Sequence, residues 1–231
     1  MPYETIETKD GGSFKAYVAM PAKTPAPGLV VIQEIFGVNQ VMRELTDAYA
    51  AAGYLAICPD IFWRIEPGVD ITDQSEAEWQ KAFDLFGKFD VDRGVDDLIA
   101  TLGHVRGMAQ CTGKAGAVGY CLGGKLAYLM ATRSDAEANV SFYGVGLDDL
   151  IGEAGNITRP YLAHVAAKDG FVPPEAQAKF VPVLEKHPKA SVHVYQDQDH
   201  AFARVGGKHY DRAAADLANG RTRDFLAAAL A

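Results

Sequence analysis

Gly116-Ala117-Val118-Gly119-Tyr120-Cys121-Leu122-Gly123-Gly124 has the form strand, then G-x-C-x-G, then helix. A sharp strand-to-helix turn strains the backbone of its apex residue and leaves no room for side chains beside it. Gly119 and Gly123 supply that room. The apex side chain then projects at the carboxyl edge of the sheet, where open α/β folds place ligands. A helix N-terminus there favours a thiolate, and the amide of Leu122 is set to donate to a developing oxyanion. The plainer reading of Cys121 is a small buried apolar residue beside a helix-packing glycine pair, and that reading is kept for Cys58 and Cys111.

A thiol nucleophile needs a base, and the base needs an orienting acid. His200, in Asp197-Gln198-Asp199-His200-Ala201-Phe202, follows a strand ending at Tyr195 and should lie on the same edge as the elbow. His164 and His193 fall inside strand patterns, while His104, His187 and His209 read as solvated. Asp169 follows another strand, in Lys168-Asp169-Gly170, and the order Cys121, Asp169, His200 is nucleophile, acid, base. An Asp-Gly pair by itself is only a turn. Asp197 and Asp199 sit too near His200 to be the first choice for its acid.

Glu34 ends an earlier strand within Gln33-Glu34-Ile35-Phe36-Gly37. Near a thiol, a carboxylate accepts its proton when ionised and donates one when protonated. The amide of Ile35 is placed to be a second oxyanion donor. A solvated loop charge is the alternative for Glu34, although its apolar flanks, Val30 to Ile32 and Ile35-Phe36, oppose full exposure.

Alternating strands and helices must position these residues. Strands are expected at 14–20, 29–32, 54–58, 115–120, 139–143, 161–167 and 191–195. Helices are expected at 39–52 with Asn39 as N-cap and Gly53 as stop, and at 76–86, 91–105, 122–133, 175–185 and 210–230. Residues 61–75 read as irregular. The economical architecture is α/β with a mostly parallel, doubly wound sheet flanked by helices. One domain over 1–231 is expected, with 61–90 as a partial cap.

The 231 residues are ample for a core, and 48% are apolar, which opposes disorder. The net charge of -8 disfavours a nucleic-acid surface. Three cysteines make no disulfide framework. No apolar run approaches the roughly 20 residues of a membrane span, and the N-terminus lacks a signal-peptide pattern. A cytoplasmic chain with no membrane partner, a monomer or weak homodimer, is expected.

The chain resembles the dienelactone hydrolase (carboxymethylenebutenolidase) family of α/β-hydrolases. The resemblance rests on Gln33 to Asn39, Cys58-Pro59-Asp60, Gly119 to Gly124, Phe142 to Gly146, and His200-Ala201-Phe202-Ala203-Arg204. It implies hydrolysis of dienelactone to maleylacetate, in the breakdown of catechols, without metal or organic cofactor. It implies that Cys121 attacks the lactone carbonyl and that Glu34 holds the resting thiol proton and is switched by substrate. Arg204 would bind the carboxylate of a small anionic lactone or ester, with Phe36, Tyr143 and Trp79 completing the substrate-binding set. Trp79 stands where similar enzymes carry a second arginine, with Lys81 and Arg64 as nearby cations, which weakens the case for the usual dienelactone. A carboxylesterase of other substrate range remains open, as does a cysteine enzyme or redox sensor on a similar fold.

Overall fold

The computed structural model describes residues 2–231. It divides into two units, 1–116 and 117–231. The first carries β1 (Tyr3–Glu7), β2 (Ser13–Ala19), β3 (Ala26–Ile32), α1 (Gln40–Ala51), β4 (Leu55–Pro59), α2 (Glu76–Lys88) and α3 (Val91–Gly107). Its strands lie in the order β1-β2-β4-β3. The pairings β1–β2 and β2–β4 are antiparallel, and β3–β4 is parallel.

The run Leu29-Val30-Val31-Ile32 is wholly buried, so the apolar signal and the strand coincide. Full burial of each such side chain contributes about 1.5–3 kcal/mol. The strand starts earlier than the apolar run, because Ala26 donates its N–H to the Gln110 carbonyl at 2.8 Å. Strand β1 escaped the sequence reading because only Ile6 points inward. Asn39 caps α1 as expected, its side chain accepting from the Met42 N–H at 3.1 Å. Gly53 follows α1 with φ +102, a left-handed conformation that favours glycine.

The irregular stretch at 61–75 is pinned by side chains rather than by repeating backbone bonds. The Asp60 carboxylate accepts from the Phe62 N–H at 3.1 Å and the Gly68 N–H at 2.7 Å. Asn39 Nδ2 donates to the Ile71 carbonyl at 2.9 Å, and the Ile71 N–H donates to the Phe36 carbonyl at 3.1 Å. Gly37 has φ +79, and a Cβ there would run into the Val69 backbone. The turn after β3 is thus held by the stretch 61–75.

Strand β5 (Cys111–Tyr120) begins in the first unit and ends in the second. The second unit continues with α4 (Leu122–Arg133), β6 (Asn139–Phe142), a 3-10 turn at Ile151–Asn156, β7 (Tyr161–Ala166), α5 (Pro174–Glu185), β8 (Ala190–Tyr195) and α6 (Arg212–Leu230). The pairings β5–β6, β6–β7 and β7–β8 are all parallel. Strand β5 extends back beyond Ala115 to Cys111, and the sequence reading missed these first four residues because they are at least partly exposed and carry no apolar pattern. Helix α6 begins after Asp211, not at Tyr210, because the Asp211 carboxylate caps it by accepting from the Ala214 N–H at 2.8 Å. Among the described residues, no helix is long and apolar enough to cross a membrane.

Candidate active site

Cys121 is the single residue between β5 and α4, with φ 56 and ψ -114. A non-glycine residue held there stores about 1–3 kcal/mol of strain. The neighbours show why the turn is glycine-rich. A Cβ on Gly119 would strike the Gly123 backbone, and one on Gly124 would lie 2.6 Å from the Phe142 carbonyl oxygen. The turn is fixed on both sides, by the Cys121 N–H donating to the Phe142 carbonyl and the Lys125 N–H donating to the Cys121 carbonyl, each at 3.1 Å. Leu122 is the first residue of α4, where helical amides lack partners within the helix and are available to an anion.

Asp169 and His200 come together as their order suggested. His200 Nδ1 lies 2.8 Å from Asp169 Oδ2, and both side chains are buried. The other oxygen, Asp169 Oδ1, accepts from the Phe171 N–H at 2.8 Å and the Val172 N–H at 3.2 Å. The carboxylate is therefore oriented by its own loop before it orients the imidazole. Two rings stand edge-on to that imidazole, Phe171 at 4.9 Å and Tyr143 at 5.1 Å between centroids.

His200 Nε2 finds no hydrogen-bond partner of good geometry, and the group within electrostatic reach is the Cys121 sulfur. Burial pushes the His200 pKa down. The negative charge of a Cys121 thiolate and the bond to Asp169 more than offset this and raise it to about 10. Chemically, the second unit holds a thiol on a strained turn, an imidazole, and a carboxylate that fixes the imidazole.

Arg204 is buried, and its N–H closes a turn onto the Ala201 carbonyl at 2.9 Å, where Ala201 itself has φ +62. Tyr143 is buried, with φ 38, and its ring also meets Phe202 edge-on at 5.7 Å. It also meets Tyr120 at 6.1 Å and Phe142 at 6.0 Å, and its N–H donates to the His164 carbonyl at 2.8 Å.

The remaining expected site residues belong to the first unit. Glu34 is 3% exposed, so the reading as a solvated loop charge is excluded. Ile35 and Phe36 are buried in the same turn. Trp79 stands edge-on to Phe36 at 5.0 Å, packs on Phe83 at 5.4 Å, and donates Nε1 to the Asp73 carbonyl at 3.0 Å. The two neighbouring cations are engaged elsewhere. Arg64 holds Asp97 through Nε and Nη2 and Asp10 through Nη1, and Lys81 pairs with Glu66 at 2.6 Å.

Other residues separate clearly. His164 is a neutral core histidine, bonded at 2.9 Å to both the Tyr195 hydroxyl and Thr222, with burial holding its pKa well below the usual value. His209 is less solvated than its sequence suggested, with Nδ1 3.2 Å from the His200 carbonyl and 3.5 Å from Asp199 Oδ2. Sequence reasoning also passed over Asp199, which accepts the His200 N–H at 2.6 Å, and Phe171. An Asp directly before the base was a visible signal for such a side-chain–backbone bond.

The sequence model of the dienelactone hydrolase family matches residues 14–230. A protein of Azospirillum brasilense, provisionally named a carboxymethylenebutenolidase, is 55% identical over 96% of each chain. The carboxymethylenebutenolidase of Pseudomonas putida is 40% identical over 96% of this chain and 94% of its own. A crystal structure from Klebsiella pneumoniae, provisionally named a dienelactone hydrolase, superimposes with a TM-score of 0.85 at 25% identity over 97% of both chains. The fold is that of an α/β-hydrolase.

Proposed function

The chain belongs to the dienelactone hydrolase family and is a lactone or ester hydrolase, and on that premise we propose that it opens dienelactone to maleylacetate through a Cys121-His200-Asp169 triad. The observation that carries the triad is the 2.8 Å contact of Asp169 with His200, whose far side faces the sulfur of the strained Cys121.

The Cys121 thiolate attacks the lactone carbonyl carbon, forming a C–S bond. The amides of Leu122 and, on the resemblance, Ile35 receive the oxyanion. Collapse breaks the ring C–O bond, and the leaving enolate takes the proton that the thiol gave up, from the His200 imidazolium, and becomes a ketone. Water then attacks the thioester while His200 removes its proton. The acid is released and the thiol restored, for a net uptake of one water. Glu34 is assigned the handling of the resting thiol proton, on the resemblance and on its own burial. On the resemblance, Arg204 is assigned the carboxylate of the substrate, and Phe36, Trp79 and Tyr143 are assigned to substrate binding.

Steady-state kinetics on cis- and trans-dienelactone beside a neutral aryl ester test the substrate, and mass spectrometry of the quenched enzyme tests the thioester. Preference for the anionic lactones, with an adduct on Cys121, is expected. Equal or better turnover of the neutral ester would replace the dienelactone assignment with a broader carboxylesterase.

A further inference from the structure

The loops after β7 and β8 carry the acid and the base, and they are stitched together beyond the ends of both strands. The Ala167 N–H donates to the Tyr195 carbonyl at 3.0 Å, and the Lys168 N–H to the Gln198 carbonyl at 2.9 Å. The last stitch is made by a side chain. Asp199 Oδ1 accepts from the His200 N–H at 2.6 Å and from the Gly170 N–H at 3.1 Å. One oxygen therefore joins the residue after Asp169 to the backbone of His200 itself. The second oxygen, Oδ2, lies 3.5 Å from His209 Nδ1, which is also 3.2 Å from the His200 carbonyl.

We propose that Asp199 is a positioning residue: it clamps the Asp169 loop to the His200 loop and so sets the hydrogen bond between acid and base. This rests on the triad reading given above. The charge of the clamp matters as well as its shape. Burial pushes the Asp199 carboxyl up, but the His200 and Gly170 amides and the charges of His209 and His200 hold it below the usual carboxylate range. Asp199 is thus ionised at neutral pH, and its bonds to backbone amides are charge-assisted, the stronger kind. Catalysis is sensitive to such anchoring because displacing a reacting group by an ångström costs about a hundredfold in rate.

The test compares Asp199→Ala, Asp199→Ser and Asp199→Asn with the parent, in the full chain. Readouts are kcat and KM on an ester, melting temperature, and the downfield proton resonance of the His200 Nδ1–H bond to Asp169. Asp199→Ala is expected to lower kcat by about tenfold to a hundredfold with KM changed less than about threefold, and to shift or broaden that resonance. Asp199→Asn keeps an oxygen acceptor and should stay within about fivefold of the parent, with Asp199→Ser between them. A lower melting temperature with kcat and resonance both unchanged would overturn the proposal and leave a staple for stability alone. If Asp199→Ala does not fold, parental kcat and resonance in Asp199→Ser decide against it in the same way. The resonance needs no turnover, so it reads the clamp even if Cys121 proves not to be the nucleophile. That separate failure would show as parental turnover in Cys121→Ala.

Discussion

Two cysteines stand at the carboxyl ends of strands, and only one of them has chemistry around it. Cys58 lies within β4, opposite Tyr17 of β2, in ordinary strand backbone and with no exposure at all. Burial pushes its thiol up to about 12, against a hydrogen bond with Thr46 and with the charge of Asp60 adding to the rise. Cys121 is 7% exposed, nearly as buried, but it sits one residue past the end of β5 on a positive-φ turn. It has a helix N-terminus after it and the His200 imidazole in reach. Burial by itself makes a cysteine inert. The turn, the helix and a cation to face are what distinguish a nucleophile.

The sharpest way to break this comparison is to delete each thiol. Cys121→Ala should lower ester turnover on the order of 10⁴-fold or more, while Cys58→Ala stays within about twofold. Equal losses in the two variants would mean that the elbow is a packing feature. A subtler contrast concerns the base. Removing the Cys121 sulfur removes the largest influence raising the His200 pKa, while burial still pushes it down. The ring of His200 in Cys121→Ala should therefore titrate at lower pH than the parent value of about 10, followed by proton–nitrogen correlation NMR. In the parent, a raised folded pKa stabilises fully below the unfolded value near 6.5 and is lost as pH rises through about 10. An unchanged titration would show that the sulfur and imidazole are not coupled. The smallest contrast is in stability. Cys121→Gly relieves positive-φ strain and should therefore cost about 1 kcal/mol less unfolding free energy than Cys58→Gly. Denaturant melts of both variants decide this.

The elbow was legible because its tightest constraint is local: Gly119 is required by the backbone of Gly123, four residues away. Asp169 and His200 were legible from chain order, because parallel strands deliver successive loops to one edge. What stayed hidden has no periodicity. The capture of Arg64 by Asp97 joins residues 33 positions apart and leaves no local trace. Asp199 looked like a weaker version of the acid when its partners were in fact backbone amides. Strand β1 hid because an edge strand with one inward residue has almost no alternation to read.

The division of labour in the Asp169 carboxylate settles which form of the neutral imidazole exists. Oδ1 is occupied by two amides of its own loop, and Oδ2, an acceptor only, faces Nδ1. Whenever the ring carries a single proton, that proton belongs on Nδ1. The lone pair is then on Nε2, the nitrogen whose neighbour is the Cys121 sulfur. The choice of tautomer is made by an oxygen on the far side of the ring from the reaction, and it is made before any substrate arrives.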